Sequence, residues 1–291
     1  MKVTRIIPTL IVILLLSSCA TQKLIEDGNT AYDDGNYESA LNSLEQVIEK
    51  RESAGRKAEG EVYYKAGKAA MKLGQSDKAR TYLESAEETE YASPGLYASL
   101  AKIYKNIDNL SKEIEALETY NKKYPEGEQI DTINARLFET YVESENWNKG
   151  KELWPEIENQ AESDLSLLAG YLTINKELEN DALSDKLAEK ILDKDPENPT
   201  ALEYYAFKYF WKAENLYVSQ MKAYQKNRTN KQYKKLMEAW DKIWPDYRKS
   251  RDYFKKLYYI KPNPKYAKFL GNIYKRMDQD DKAAFWYKRA K

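Results

Sequence analysis

The stretch Gly67-Lys68-Ala69-Ala70-Met71-Lys72-Leu73-Gly74, followed by Ala79, Leu83 and Ala86, decides the fold. Small and apolar residues recur in it at three- and four-residue spacing, the pattern of helices that each bury one stripe. The pattern returns upstream in Gly28-Asn29-Thr30-Ala31-Tyr32-Asp33-Asp34-Gly35-Asn36-Tyr37-Glu38-Ser39-Ala40. It returns downstream in Gly271-Asn272-Ile273-Tyr274, then Ala283, Tyr287 and Ala290. No segment alternates with the period of two that strands require, and the blocks recur at an interval near 34.

These blocks resemble the tetratricopeptide repeat (TPR), a helix–turn–helix unit. In that family small residues at repeat positions 8 and 20 lie where helices A and B cross closely, and a proline at position 32 stops helix B. Position 8 runs along this chain as Gly28, Gly67, Ala101, Phe138, Leu172, Ala206 and Gly271, at intervals of 39, 34, 37, 34, 34 and 65. Position 20 is Ala40, Ala79, Gly150, Ser184, Ser250 and Ala283, with Glu113 the departure in the third repeat. Pro125, Pro196 and Pro262 fall in the terminal register. The resemblance implies an all-α, right-handed α-solenoid of about seven helix pairs, with repeats starting near residues 21, 60, 94, 131, 165, 199 and 264. Trp154-Pro155 falls inside helix B of repeat four, where a kink or a shortened helix is expected.

The interval of 65 contains an insertion at about residues 216–244. Its apolar spacing stays helical, and Asn227-Arg228-Thr229-Asn230 is its one turn-like break. An elongated helical hairpin in repeat six is therefore expected. Its tip carries Lys222, Lys226, Arg228, Lys231, Lys234 and Lys235, with no acidic residue between Val218 and Met237. Such a tip is either a solvated surface or a contact for anionic phosphate, lipid headgroups or an acidic protein.

The N-terminus carries Lys2 and Arg5, an apolar run from Ile6 to Leu16, then Leu16-Ser17-Ser18-Cys19. The run is shorter than the about 20 residues that span a bilayer. The segment resembles a bacterial lipoprotein signal, residues 1–18, with Cys19 the acylated residue that begins the mature chain, residues 19–291. Ala20 is not the aspartate that retains such proteins at the inner membrane. The resemblance therefore implies export and anchoring to the outer membrane, on its periplasmic face or at the cell surface.

Composition narrows the chemistry. The 291 residues include no histidine and one cysteine, which removes His-based acid/base and nucleophilic sites, intramolecular disulfides and Cys-cluster metal sites. Carboxylate pairs such as Asp33-Asp34, Glu87-Glu88 and Asp280-Asp281 sit on polar faces or turns of a chain that is 32% charged. No catalytic residue, metal or cofactor is expected. Formal net charge is zero, but residues 1–199 hold 24 Lys+Arg against 38 Asp+Glu, and residues 200–291 hold 23 against 9.

In tetratricopeptide proteins that hold peptides, helix A positions 5, 9, 12 and 13 face the groove. Carried onto this chain, they select Asn29, Tyr32, Lys68, Lys72, Lys102, Lys105, Glu139, Phe207, Phe210 and Trp211 as groove candidates. Phe207, Phe210 and Trp211 suit the core of the long helix pair better than the groove. Lys268 and Asn272 match one pair of the family's carboxylate clamp without the rest of it. The expected function is a membrane-anchored scaffold that binds protein partners in an envelope complex serving assembly, secretion or motility. A glycan- or peptidoglycan-associated lipoprotein, using some of the 25 tyrosines, is the rival reading, and an accessory subunit of an envelope enzyme is a third. Nucleic acid is not an expected partner.

Overall fold

A computed structural model describes the backbone of residues 7–291 and the side chains of residues 20–291. The side chains of the expected signal segment and of Cys19 lie outside the described residues. Every regular element among the described residues is a helix, so the fold class is the all-α class that the repeat spacing requires.

Two compact units divide the chain, residues 1–140 and 141–291. The first holds α1 (Ile7–Asp33) with α2 (Tyr37–Ser53), α3 (Gly60–Lys72) with α4 (Ser76–Glu88), and α5 (Pro94–Asn106) with α6 (Leu110–Lys123). Helix α7 (Ile130–Glu143) reaches the boundary. The second unit holds α8 (Trp147–Ala161), then α9 (Leu165–Glu177) with α10 (Asp181–Lys194), α11 (Pro199–Lys226) with α12 (Asn230–Ile260), and α13 (Pro264–Arg276) with α14 (Asp280–Arg289).

Close helix crossings explain the small residues. A Cβ on Gly67 would lie 2.8 Å from Leu83 Cγ, and one on Gly271 would lie 2.5 Å from the Tyr287 ring. Across each crossing the residue at the second small position is buried, as Ala40, Ala79, Ser184, Ser250 and Ala283 are. In repeat six the Ser250 hydroxyl donates to the Ala206 carbonyl at 2.8 Å, so the crossing survives the insertion.

The turn from helix A to helix B is built the same way six times. Gly35, Gly74, Asp108, Glu145, Glu179 and Asp278 all have positive φ, between 54° and 77°. Each lies seven residues after position 8 of its repeat, which is Gly28, Gly67, Ala101, Phe138, Leu172 and Gly271 in turn. The following Asn or Gln amide bonds back five residues, from Asn36 to Ala31, Gln75 to Ala70, Asn109 to Tyr104, Asn146 to Tyr141, Asn180 to Asn175 and Gln279 to Tyr274, at 2.8–2.9 Å. This left-handed cap satisfies a carbonyl that the helix end leaves open. Repeat six has no such turn, because α11 continues straight through Ala213.

Pro155 does not shorten α8, which runs through it for 15 residues. The proline and Lys151 are both exposed, so the carbonyl that loses its amide partner faces water. Trp154, on the buried side, stacks on Tyr171 with ring centroids 3.8 Å apart.

The elongated hairpin is present. Helices α11 and α12 are 28 and 31 residues long, joined at Asn227-Arg228-Thr229. The last buried residue of α11 is Ala213. The thirteen residues beyond it extend about 20 Å at 1.5 Å each. The base is fastened to α13: Arg276 donates two hydrogen bonds to Glu214, Tyr247 donates a third, and the guanidinium lies 4.3 Å from the Tyr217 ring centroid.

Candidate functional site

In the first unit, consecutive A helices bring three sequence-selected lysines together. Lys68 and Lys72 lie four residues apart on one face of α3, and Lys102 lies on α5. With Met71, Ser99, Asn106 and Gln129 they line a pocket of about 420 Å³. Gly95 forms part of its wall, and the absence of a side chain there admits the Tyr64 hydroxyl, 2.1 Å from where a Cβ would stand. Burial, with the ammonium groups of Lys72 and Lys102 beside it, holds the Lys68 pKa below its ordinary value of 10.5. Among the described residues no carboxylate forms a salt bridge with Lys68, Lys72 or Lys102. The Lys72 ammonium instead sits 5.8 Å from the Tyr37 ring centroid. Three like charges are thus held near one cavity without an internal counter-charge, a state that an incoming anion relieves.

Asn29 and Tyr32 lie on α1 in the same unit. Tyr32 meets the edge of Tyr37 at 5.4 Å, and it contributes with burial and Tyr91 to raising the Tyr64 pKa. The side-chain oxygen of Asn29 is buried with no hydrogen-bond partner. Lys105 is exposed and does not line the pocket. Glu139 does not stand free in a groove, because Arg136 binds it at 2.9 Å.

That same Arg136 explains the odd residue of repeat three. Its Nε and one Nη donate to both oxygens of Glu113, at 2.7 and 3.0 Å. The Glu113 side chain is 3% exposed. The sequence marks Glu113 as a departure at a small-residue position but does not name its partner, which lies 23 residues away on the next A helix.

In the second unit the three aromatic candidates separate. Phe210 is buried, and Phe207 packs edge-on against Phe254 and Phe269 at 5.1 and 4.9 Å. Phe210 belongs to the core of the long helix pair, edge-on to Phe269 at 4.7 Å and Tyr247 at 6.1 Å, and Phe207 packs against that core half-buried. Trp211, one turn after Phe207, stays 49% exposed. Asn272 accepts a hydrogen bond from Tyr287 at 3.0 Å, while Lys268 is exposed. Tyrosines here face one another, as with Tyr205 and Tyr253 at 5.5 Å and Tyr209 and Tyr253 at 6.2 Å.

The six hairpin cations, Lys222, Lys226, Arg228, Lys231, Lys234 and Lys235, are all exposed. Only Lys234 approaches a carboxylate, Glu238 at 4.0 Å. Among the described residues no group of three or more Cys, Asp or Glu side chains gathers at a spacing that could hold a metal ion.

Comparison with known proteins places this geometry. Residues 60–90, covering α3 and α4, match the tetratricopeptide repeat family. A crystal structure of a Bacteroides ovatus protein is similar over 77% of this chain and 100% of its own, at 19% identity and a TM-score of 0.52. A tetratricopeptide repeat protein from Parabacteroides merdae is similar over 93% of this chain and 92% of its own, at 17% identity and a TM-score of 0.45. YrrB, a TPR protein with an unusual peptide-binding site, is similar over 64% of this chain and 97% of its own, at 15% identity and a TM-score of 0.48. No curated protein matches the chain. The chain therefore carries a tetratricopeptide repeat at residues 60–90 within an all-α fold of consecutive TPR-like helix pairs.

Proposed function

We propose that this chain is a lipid-anchored TPR scaffold of the bacterial envelope that binds partner proteins and performs no chemistry of its own. The observation that carries the reading is the convergence of Lys68, Lys72 and Lys102 on one pocket without a counter-charge. A partner segment presenting a carboxylate would supply that charge, and the side-chain amides of Asn106 and Gln129 would offer further polar contacts. The lipobox-like segment ending at Cys19 supports anchoring, through which the scaffold would act by confining partners beside the outer membrane.

A photo-crosslinker at Ala98, on the pocket wall, should trap a protein partner in intact cells, and one at Lys186 on α10 should not. Adding Lys68→Glu and Lys102→Glu should abolish the Ala98 adduct. An adduct that survives both charge reversals would remove the pocket from the mechanism. Radiolabelled fatty acid should enter the wild-type chain but not Cys19→Ala, and label in the variant would sink the anchor.

A further inference from the structure

The hairpin is larger than helix packing in its own unit requires. We propose that its tip docks on an anionic bilayer surface, with Lys222, Lys226, Arg228, Lys231, Lys234 and Lys235 engaging lipid phosphates.

Four observations carry this. First, the charge is unopposed over a useful distance. On α11 the acid nearest the turn is Glu214, twelve residues before Lys226, and on α12 it is Glu238, eight residues after Asn230. The last stretch of hairpin, about 12 Å at 1.5 Å per residue, therefore carries positive charge alone. That exceeds the screening length of about 8 Å at physiological salt, so acids further down do not cancel the field at the tip. Second, several cations nearer the base of the hairpin are paired closely, as in Lys212–Asp246 at 3.0 Å and Lys265–Glu203 at 3.1 Å, whereas the six at the tip share only the 4.0 Å contact of Lys234.

Third, the charges are spread over both helices and the turn. Lys222 and Lys226 follow Val218 on one stripe of α11, and Lys231, Lys234 and Lys235 share one stripe of α12. A folded acidic protein would have to match that spread in one register. A bilayer offers phosphates in every direction at the end of a two-helix rod and needs none. Fourth, apolar side chains are interleaved with the cations: Val218 is 48% exposed, Tyr233 50% and Met237 39%. Lysine stems and a tyrosine ring are the groups that settle at a headgroup boundary, apolar body inward and polar end in water.

The test uses the full-length chain carrying Cys19→Ser, so that no acyl chain contributes. Flotation with phosphatidylcholine vesicles is compared with flotation on vesicles containing about 30% phosphatidylglycerol. Binding to the anionic vesicles should exceed binding to neutral ones at least tenfold, and should vanish between about 0.05 and 0.5 M salt. The triple variant Lys226→Glu, Arg228→Glu, Lys231→Glu should lose it. A charge-matched control reversing the exposed Lys256, Lys261 and Lys288 in the same unit should retain it. Circular dichroism showing unchanged helicity separates lost binding from lost folding. The proposal is overturned by equal binding to neutral vesicles, by no binding to either, or by equal losses in the two triple variants. It is likewise overturned if the tip variant still binds vesicles. None of these results touches the Lys68 pocket, which lies in the other unit.

Discussion

At the scale of single residues, two charged groups make opposite bargains with burial. Lys68 is half-buried beside two like charges, so its charged form is disfavoured in the folded protein and its pKa is lowered. For a base with a lowered folded pKa, the cost to stability is fully present below that lowered value. It is relieved as pH rises from there towards the ordinary 10.5. Lys68→Met should therefore raise the thermal midpoint at pH 7 while weakening capture of a carboxylate, measured by calorimetry against an acidic peptide. Because a bound anion restores the charged form, binding should take up protons in that alkaline window, and the uptake should disappear in Lys68→Met. A variant less stable than wild type would contradict the charge argument. Glu113 is the reverse case, buried but answered by both arms of Arg136. Removing one partner of a buried pair typically costs about 3–5 kcal/mol. Arg136 is 18% exposed, so Arg136→Met should sit at the low end, about 3 kcal/mol by denaturant unfolding. The double change Glu113→Leu, Arg136→Met should recover most of the loss, since it leaves no charge stranded.

At the scale of elements, the repeated turn offers a direct test of why each helix A ends where it does. Asp108, Glu145, Glu179 and Asp278 hold φ values of 54–58° that glycine adopts freely, as Gly35 and Gly74 do at the equivalent turns. A Cβ-bearing residue in this region pays about 1–2 kcal/mol. Glu145→Gly and Glu179→Gly should each stabilise the chain by about 1 kcal/mol in urea titration, less the entropy that glycine restores to the unfolded state. If both destabilise, the side chains are anchoring the turn. The register behind this comparison was legible in the sequence, because a close crossing admits few side chains and so Gly28, Gly67 and Gly271 announce themselves. The long hairpin was legible too, since its apolar spacing never leaves the helical period. The turn motif went unread because Gly, Asp and Glu share no obvious property until their backbone angles are seen. The Arg136–Glu113 pair was hidden for a different reason: an ion pair across two helices leaves no periodic trace. Phe207 and Trp211 share a helix face by spacing, and only the position of Phe269 decides which one packs closer to the core.

At the scale of the whole molecule, a formal charge of zero conceals two opposed ends of the sequence. Residues 1–199 sum to −14 and residues 200–291 to +14. The Lys68 pocket is thus a basic patch within the acidic part, which directs acidic ligands to it by local contact rather than by the general field. The hairpin tip stands where the local and regional charges agree, which favours long-range attraction. Opposed charge in one chain also attracts neighbouring copies when salt does not screen it, the more so with an isoelectric point near 6.6. Light scattering at neutral pH should report net attraction between copies of the unlipidated chain at about 0.02 M salt, turning neutral or repulsive by about 0.3 M. The tip variant Lys226→Glu, Arg228→Glu, Lys231→Glu takes residues 200–291 from +14 to +8 and should weaken the attraction at low salt. Exposed apolar groups such as Tyr259 and Phe285 offer a salt-insensitive alternative. Attraction that persists at high salt and survives the tip variant would assign self-association to those groups and not to charge.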